Sequence, residues 1–558
     1  MLGIDMQPRR TFIKRTAAVA SSLSLALQAG LGTACRTSER AGGVASVKAK
    51  RRRIIWNNDG DDLWAIAHDY KKPNWPTRYD SVEQFLRMRT SAVKGTQVDS
   101  ISFCGFTDVP TWEFPLKNME PLGPNPLDHV VTFAHQNGME FMYSIRMNDV
   151  HCAVYPGVAY WPAFKLDNLH LLQANITRED FEQRFWPWVR GTTPDHPLGS
   201  LLGWWGQTRE GELIERFRNS SLGPLAFSWP AYDYAHPEVR DHFLKVVEGA
   251  CQHYDVDGIE FDFGRHPLLF KYGEERRNVP LMTDFIRRAR QLIQDASRKK
   301  GKPILLAMRV PDTLALSLSV GLDVETWIGE GLLDILVPGF GSTPFSIPME
   351  DWVGLGHQHD IPVYGSLSWM SLFAKPEAIR AAAYRLWDEG VDGIYFFNLL
   401  RPEQFGCLYE IGDPKQLSRM SKLYQIDPDR KKVGYMNSSC LPGQVPLVFS
   451  TQSGPSTARL TLKIADHSES ASRVTIQTSW NAGVDGRRTA LKLNGESLAN
   501  PRPLPSDKDD KTAAVWTEFE TKSLRKGVNT FHVTVQPPSA GAAEPCVLQQ
   551  LRVSISYS

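Results

Sequence analysis

Two acidic residues placed two positions apart are the strongest candidates for chemistry in this sequence. Residues 257–267 read Asp-Gly-Ile-Glu-Phe-Asp-Phe-Gly-Arg-His-Pro. Because side chains alternate along a β-strand, Glu260 and Asp262 would lie on one face, with backbone positions about 6.6 Å apart. Two carboxylates this close and partly removed from water repel each other, which raises the pKa of at least one and suits it to donate a proton. The alternative role for the pair is a salt bridge with Arg146 or Arg309 inside the fold.

Cleavage of a glycosidic bond is a reaction that paired carboxyl groups serve. It normally takes two of them, about 5 to 5.5 Å apart for retention or about 6.5 to 9.5 Å apart for inversion of configuration. We predict Asp262 as the principal catalytic carboxylate, because it lies nearer the end of the strand than Glu260. The predicted partner is Asp312 first, then Glu260 or Asp149.

Polar and aromatic residues follow several other predicted strands. Amide, carboxylate, guanidinium and imidazole groups supply donors and acceptors for hydroxyls, and an aromatic face suits the C–H side of a sugar ring. The sequence therefore predicts a cleft for a hydroxyl-rich ligand. Its predicted substrate-binding residues are Asn58, Asp59, Arg146, Asn148, Asp149, Arg265, His266, Arg309, Tyr364, Trp369 and Asn398.

The elements that must position these residues alternate between short apolar strands and longer helical patterns, as in βα units around a parallel sheet. Eight strands are predicted, at residues 53–57, 100–104, 140–146, 258–263, 304–309, 334–338, 362–367 and 393–398. They predict an α/β fold with a (β/α)8 TIM barrel at residues 51–428, whose reaction site lies at the carboxyl ends of the strands. A long insertion at residues 150–230, rich in Trp and Tyr, follows the third strand.

Beyond residue 428 the helical period gives way to alternating strand patterns, separated by turn signals such as Asn-Gly and Lys-Gly. Six strands are predicted there, at residues 458–464, 473–480, 489–493, 514–521, 529–536 and 547–557. The sequence predicts a C-terminal antiparallel β-sandwich at residues 429–558. Trp480, Asn481 and Trp516 are interpreted as core or turn residues of this domain rather than as ligands.

The N-terminus reads as a targeting segment. Residues 8–15 are Pro-Arg-Arg-Thr-Phe-Ile-Lys-Arg, and an Ala-, Ser- and Leu-rich run follows. This pattern is typical of a twin-arginine export signal, predicted at residues 1–35, with a polar linker at residues 36–50. Cys35 is a candidate lipid anchor. We therefore expect an exported protein, periplasmic or extracellular, with no other attachment to a membrane.

Composition excludes several partners. The 558 residues include 63 Lys and Arg against 62 Asp and Glu, so the net charge is +1 and no large basic field is available for nucleic acid. The seven cysteines are scattered, with no Cys-x-x-Cys pair and no His at metal-ligand spacing, and they indicate neither a structural zinc site nor a disulfide framework. The sequence implies no metal and no other cofactor.

The fourth-strand segment, together with Ile-Trp-Asn-Asn-Asp at residues 55–59 and the sandwich after the barrel, resembles the glycoside-hydrolase-like barrel proteins of exported carbohydrate-degrading systems. Residues 257–262 are also similar to the strand-four signature of the family 18 chitinases, Asp-Gly-x-Asp-x-Asp-x-Glu. Gly264 stands where that family has its acidic Glu. The resemblance therefore implies the position of the acidic residues but not that family's substrate-assisted mechanism. It covers most of residues 53–425.

These observations predict an exported glycoside hydrolase that cleaves a poly- or oligosaccharide at the C-terminal face of the barrel. A second hypothesis is a catalytically silent barrel that binds a polysaccharide, which Gly264 allows. A third is a metal-dependent hydrolase in which Glu260, Asp262 and His266 would hold the cation. Against the third, amidohydrolase-type sites place a His-x-His pair where this chain has Asn-Asn-Asp at residues 57–59.

Overall fold

A parallel barrel and two antiparallel sheets make up the part of the chain that the structure describes. The structure is a computed structural model, and it describes residues 50, 52–60, 62, 79–105, 121–150, 163–173, 231–264, 266–271, 273–368, 375–428, 443–452, 454–481, 488–504, 515–537 and 545–557. The predicted fold class, a TIM barrel followed by antiparallel strands, is confirmed.

The barrel strands are β1 (Ile54–Asn58), β2 (Val98–Cys104), β3 (Glu140–Arg146), β4 (Gly258–Asp262), β5 (Leu305–Val310), β6 (Ile335–Pro338), β7 (Tyr364–Ser368) and β8 (Gly393–Phe397). They pair in parallel in the order β6-β5-β4-β3-β2-β1-β8-β7. A bridge between Leu336 and Val363 brings β6 to β7 and nearly closes the ring. Each predicted strand is present, with ends within two residues of the predicted ones.

Helices lie between the strands. They are α1 (Val82–Met88), α2 (Leu127–Gln136), α3 (Ala163–Asp167), α4 (Pro237–His253), α5 (Glu275–Lys300), α6 (Leu314–Ser319), α7 (Val324–Gly329), α8 (Met349–Gln358), α9 (Pro376–Asp388) and α10 (Pro414–Leu417), with 3₁₀ turns at Thr90–Val93, Leu169–Leu171, Pro402–Tyr409 and Ser468–Ser470. Helix α4 shows the common pattern. Its proline stands in the first turn, where no N–H is needed, and it buries Val239, Phe243 and Val247 on one stripe.

Strand β4 shows how alternation divides core from site. Ile259 and Phe261 face outward and join the hydrophobic core beneath the helices, where Phe261 stacks on Phe285 of α5 at 5.8 Å between ring centroids. Glu260 and Asp262 face inward, toward the side chains of the other strands. The same period that buries the outer face therefore delivers two carboxyl groups to the barrel interior.

Apolar side chains and one ion pair fill the lower part of the barrel. The inward-facing apolar group consists of Ile55, Met142, Leu305, Ala307, Ile335, Val337, Tyr364, Tyr395 and Phe397. At the N-terminal end, Arg52 Nε lies 2.5 Å from Glu140 Oε2, and Ser100 donates to the same oxygen at 2.6 Å. This buried ion pair occupies the base of the barrel, at the opposite end from the strand termini that carry the predicted site.

The C-terminal strands are β9 (Lys422–Gln425), β10 (Leu447–Phe449), β11 (Ser456–Ile464), β12 (Arg473–Trp480), β13 (Thr489–Leu493), β14 (Glu496–Ser497), β15 (Arg502–Leu504), β16 (Val515–Glu520), β17 (Gly527–Val535) and β18 (Cys546–Ser556). One sheet has the order β10-β18-β12-β16-β15, and the other has the order β11-β17-β13-β14. Strand β9 precedes the predicted boundary at residue 428, yet it pairs with β18. That boundary stays a prediction.

Ion pairs tie the C-terminal strands to the barrel. Lys463 of β11 lies 2.9 Å from Glu389, which follows α9, and Lys526 lies 2.6 Å from Asp388, the last residue of α9. Within the C-terminal strands, Lys422 of β9 lies 2.7 Å from Asp466, with both side chains buried. Burial lowers the pKa of Lys422, and the Asp466 carboxylate opposes that change. In the part of the chain that the structure describes, no helix combines the length and apolar character needed to cross a membrane.

Candidate active site

Asp262, the last residue of β4, pairs with Arg309 on the neighbouring strand β5. Its Oδ1 accepts hydrogen bonds from Arg309 Nη1 and from the Gly264 backbone N–H, both at 2.8 Å. Each side chain of the ion pair is only 1% exposed, and the guanidinium also lies 3.7 Å from the ring centroid of Phe397. The salt bridge considered as an alternative is thus present. Within the described residues both bonds go to Oδ1, which leaves Oδ2 for a ligand.

Glu260, two residues earlier on the same face, has a different environment. Its Oε1 accepts from the Ser144 hydroxyl at 2.6 Å and from the Tyr395 hydroxyl at 2.9 Å. The side chain is fully buried, and burial together with the Asp262 charge raises the pKa of Glu260 to about 7 from its ordinary 4.5. One inward carboxyl therefore has a cation as its partner, while the other has neutral hydroxyls and keeps a proton to near-neutral pH.

Gly264 stands where a side chain would collide with the ion pair. A Cβ atom at this position would lie 2.8 Å from Arg309 Cζ and 2.8 Å from the Phe340 ring. The Arg309 guanidinium and the Phe340 ring thus occupy the space that an acidic side chain at residue 264 would need. The acidic residue of the chitinase signature would therefore not fit at residue 264 while Arg309 and Phe340 keep these positions.

A second ion pair lies at the end of β3. Arg146 Nη1 is 3.0 Å from Asp149 Oδ2, and the Asp149 side chain is 28% exposed. Burial raises the pKa of the nearby Cys104 thiol to about 12, and the charges of Arg146, Asp149, Asp262 and Asp59 all act on that thiol. These groups therefore share the C-terminal mouth of the barrel. Within this group, the Asp149 carboxylate has more access to water than the Asp262 carboxylate.

Asn58 and Asp59, at the end of β1, are both bound by Arg89. Arg89 Nη1 donates to Asp59 Oδ1 at 2.7 Å and to Asn58 Oδ1 at 3.3 Å. Asn58 is fully buried, and its Nδ2 donates to Asp62 Oδ2 at 2.9 Å. Asn58 thus shapes the turn after β1 rather than presenting an amide to a substrate. Asp59, the next residue, is one of the charges that act on the Cys104 thiol at the mouth of the barrel.

Asp312 holds the loop that follows β6. Its Oδ1 accepts from the Phe340 N–H at 3.1 Å, and its Oδ2 accepts from the Thr343 hydroxyl at 3.2 Å. Its carbonyl oxygen accepts from the Trp352 indole at 2.9 Å, and the residue is 1% exposed. Both carboxylate oxygens are therefore engaged by this loop. These contacts favour a structural role over the predicted catalytic one.

Asn148 and His266 join the loops after β3 and β4. The Asn148 amide exchanges hydrogen bonds with the backbone of Tyr232, both at 2.9 Å, and also donates to the carbonyl of Leu268. His266 is 8% exposed, and its Nδ1 accepts from the Val150 N–H at 3.4 Å. Asn148 is thus committed to loop structure, whereas His266 lies beside the β3 loop that carries Asp149.

One predicted ligand, Tyr364, does not join this group, and two others lie outside the described residues. Tyr364 is the first residue of β7 and pairs with Gly393, the first residue of β8, so it lies at the N-terminal end near Arg52. Its predicted role at the C-terminal face is wrong, because side chains at opposite ends of a strand serve opposite ends of the barrel. Arg265 and Trp369 lie outside the described residues and stay predictions.

Asn398 follows β8 with a backbone φ of 53°, which is unusual for a residue other than glycine. It is 3% exposed, and its Oδ1 has no hydrogen-bond partner within the described part of the chain. A buried, unpaired acceptor held in a strained conformation is typical of a ligand-binding position. Among the predicted ligands, Asn398 is therefore the residue whose surroundings most favour a binding role.

Sequence reasoning missed the residues that hold Glu260 and Arg309. These residues are Ser144, Tyr395 and Phe397, and all three occupy inward positions. The two-residue alternation of side chains along β3 and β8 is the signal that predicts those positions. Asp62, after β1, is fully buried, and burial raises its pKa to about 6 against the opposing effect of Arg89. No group of three or more His, Cys, Asp or Glu side chains in the described ranges is arranged to hold a metal ion.

Comparisons with known proteins add the following. No family model matches the chain, and no curated protein matches it. Solved structures of glycoside-hydrolase barrels do match, at low identity. One is the PgaB (BpsB) glycoside hydrolase domain from Bordetella bronchiseptica, at 10% identity over 65% of this chain and 99% of that one, with a TM-score of 0.36. Another is a family 18 chitinase from Chromobacterium violaceum, at 10% identity over 90% and 91%, with a TM-score of 0.33.

A cycloisomaltooligosaccharide glucanotransferase from Paenibacillus sp., in complex with cycloisomaltoheptaose, also matches at 12% identity with a TM-score of 0.32. The match covers 90% of this chain but only 58% of the length of that enzyme. Similarity at this level concerns the barrel fold and carries no argument about substrate. These glycoside-hydrolase barrels are what the chain is similar to, and no function of this chain follows from that similarity.

Proposed function

We propose that this chain is an exported glycoside hydrolase that cleaves a poly- or oligosaccharide at the C-terminal mouth of the barrel. One observation carries the proposal: β4 presents two inward carboxyl groups in opposite environments. Asp262 is bound to the Arg309 guanidinium, whereas Glu260 is bound by two hydroxyls and has its pKa raised to about 7. Two neighbouring carboxyl groups with such unlike hydrogen-bond partners are characteristic of sites that give each carboxyl group a different role.

Asp262 is the group that we assign to the reacting sugar. The Arg309 guanidinium and the Gly264 N–H bind Oδ1 of Asp262, so Oδ2 is the oxygen that remains for substrate. A carboxylate at this position stabilises the positive charge of an oxocarbenium-like transition state, or attacks it as a nucleophile. Glu260 lies deeper and is fully buried, so it acts on the electrostatics of Asp262 rather than on the sugar directly.

The second catalytic carboxyl that we propose is Asp149. Its side chain is 28% exposed and belongs to the same group of charges as Asp262, so it can exchange protons with water and with a leaving group. Asp312, the first choice from sequence, has both oxygens bound to the loop after β6. The saccharide hydroxyls would meet Asp59, Arg146, His266 and Asn398, together with Arg265 and Trp369.

The experiment that tests this proposal is a screen of the purified chain against neutral, uronic and sulfated polysaccharides, with released sugars identified by mass. Asp262→Asn is assayed in parallel, with the exposed Asp241→Asn as a control for the loss of one carboxylate. The proposal is supported if the wild type and the control release sugars and the rate of release by Asp262→Asn is lower by about 10²-fold or more. Release that is equal in all three proteins contradicts the assignment of Asp262.

A catalytically silent polysaccharide-binding barrel is the second candidate. It is favoured by the mutual neutralisation of Asp262 and Arg309, which are both 1% exposed, and by the glycine at residue 264. The same screen separates the two. Binding of a polysaccharide without release, equal in the wild type and in Asp262→Asn, would establish a receptor and overturn the hydrolase.

A further inference from the structure

The Tyr395 side chain crosses the barrel interior from β8 to β4. Its hydroxyl donates to Glu260 Oε1 at 2.9 Å, and the Ser144 hydroxyl donates to the same oxygen at 2.6 Å. Glu260 Oε2 is buried and has no hydrogen-bond partner among the described residues. The two oxygens of one carboxyl group are therefore in unequal surroundings, one bound twice and the other not at all.

This arrangement assigns the proton of Glu260 to Oε2. Arg309 is bonded to Asp262, whereas the hydrogen-bond donors to Glu260 among the described residues are the neutral Ser144 and Tyr395 hydroxyls, and the Asp262 charge lies on the same face. An uncompensated buried carboxylate is costly, and the neutral acid is the favoured form. Because Oε1 already accepts two hydrogen bonds, Oε2 carries the proton and needs an acceptor.

Other buried oxygens that lack a partner among the described residues lie on the same inward face, those of Ser366 and Asn57 among them. Ser366 of β7 is the register partner of Tyr395, and its Oγ is unpaired. Asn57 of β1 stands two residues after Ile55, which is the register partner of Tyr395 on the other side, and its Oδ1 is unpaired as well. Ser366 is 2% exposed and Asn57 is 1% exposed. The Tyr395 ring is thus flanked by polar atoms that lack a protein partner in the described chain.

We propose that the barrel interior beneath Asp262 is a binding site for ordered water. Glu260 Oε2, Asn57 Oδ1 and the Ser366 hydroxyl share the water molecules. This water is the path by which Glu260 exchanges its proton. Buried waters typically make about three hydrogen bonds to polar groups that would otherwise be unsatisfied. The exchange is balanced: Oε2 gives its proton to water and receives one from water. The water site lies in the barrel interior, and it is the same whether the protein is a hydrolase or a catalytically silent receptor.

The titratable and charged groups that face Glu260 come from three strands. They are Asp262 on β4, Arg309 on β5 and Tyr395 on β8. Burial raises the pKa of Tyr395 well above its ordinary value, so it remains a neutral donor. Asp262 and Arg309 are bound to each other, so proton exchange at Glu260 proceeds beside a fixed pair of charges.

The test is infrared spectroscopy of the whole purified chain, which does not depend on activity. The wild type is expected to show the C=O stretching band of a protonated carboxyl group at neutral pH, and Glu260→Gln is expected to lose it. On transfer to D₂O the band should shift early, while the most protected backbone amides remain unexchanged. In the double variant Asn57→Leu/Ser366→Val, which offers apolar surface in place of the two oxygens, exchange should slow to the rate of those amides.

Ser317→Ala serves as the control, because Ser317 is a buried serine of α6 outside the barrel interior, and it should exchange like the wild type. If the double variant does not fold, a high-resolution crystal structure of the wild type replaces it, and density for water within hydrogen-bond distance of Glu260 Oε2 is expected. An absent carboxyl band, unchanged exchange in a folded double variant, or a crystal structure with Oε2 in contact with protein atoms only would overturn the proposal.

Discussion

Arg309 Nη1 lies 2.8 Å from Asp262 Oδ1, and neither side chain is more than 1% exposed. The pair joins the ends of β4 and β5, and the Phe397 ring covers the guanidinium at 3.7 Å. Two opposite charges removed from water stabilise each other strongly only while both are present. The catalytic assignment of Asp262 therefore depends on Arg309.

Replacing Arg309 with Met should destabilise the fold by about 3–5 kcal/mol, since it leaves the Asp262 carboxylate buried without its cation. The double variant Asp262→Asn/Arg309→Met should recover part of that loss. Urea denaturation of both variants provides the measurement. Arg287→Met is the matched control, because Arg287 forms an exposed ion pair with Glu330 and its loss should change stability far less than the loss of the buried Arg309. Equal effects at Arg309 and Arg287 would contradict the coupling.

Placing an acid at residue 264 should not create the catalytic residue of the family 18 signature. A Cβ at Gly264 would lie 2.8 Å from Arg309 Cζ, so both Gly264→Ala and Gly264→Glu should displace the guanidinium and lower stability by about 1–3 kcal/mol. Gly354→Ala in α8, where a Cβ meets nothing within 4 Å, is the control and should be neutral or slightly stabilising. Thermal unfolding measures all three. A gain of hydrolytic activity in Gly264→Glu would show that the ion pair can move aside.

Asp149→Asn and Asp312→Asn should separate a catalytic carboxylate from a structural one. Asp149→Asn is expected to lower kcat of the folded protein about 10²- to 10⁴-fold, as for the loss of a general acid or base, and to lower the unfolding free energy as well, because Arg146 loses its ion-pair partner. Asp312→Asn is expected to lower the unfolding free energy by about 1–3 kcal/mol, because an amide cannot accept at both positions, and to leave kcat of the folded protein near that of the wild type. Steady-state kinetics measure kcat, and urea denaturation measures the unfolding free energy. The reverse pattern would restore Asp312 as the catalytic partner.

Glu260 should make stability depend on pH in a direction opposite to that of most carboxyl groups. Its folded-state pKa of about 7 lies above the ordinary 4.5, so its contribution to stability is complete below about 4.5 and is lost as the pH rises through about 7. The Tm of Glu260→Gln minus that of the wild type should therefore increase between these values and level off above them. Scanning calorimetry from acid to mildly alkaline pH provides the test. The exposed Glu325→Gln should show no such trend, and a flat difference for Glu260→Gln would refute the raised pKa.

Asn398 should matter for ligand binding more than for stability. Asn398→Gly keeps the left-handed backbone without strain, so the unfolding free energy should change by about 1 kcal/mol or less, while the affinity for saccharide falls with the loss of Oδ1. The exposed Asn500→Gly, with a φ of 56°, controls for the backbone. Calorimetric titration with the saccharide found in the screen measures the affinity. Unchanged affinity in Asn398→Gly would remove this residue from the site.

The sequence by itself determined the barrel and the positions of its eight strands. Apolar runs flanked by helical patterns placed all eight strands within two residues, because burial on both faces gives a parallel strand a strong local signature. The alternation along β4 likewise assigned Glu260 and Asp262 to one inward face, as found. Short strands such as β10 and β14, of three and two residues, escaped prediction because they are too short for any periodicity to appear.

Only the tertiary structure decided what each polar residue binds. Sequence placed Asp312 and Tyr364 in the site, but the first is bound to the loop after β6 and the second begins its strand at the far end of the barrel. Tyr395 reaches Glu260 across 135 residues of chain. The physical reason is that hydrogen bonds and ion pairs depend on distances of about 3 Å between residues remote in sequence, and local patterns carry no information on those distances.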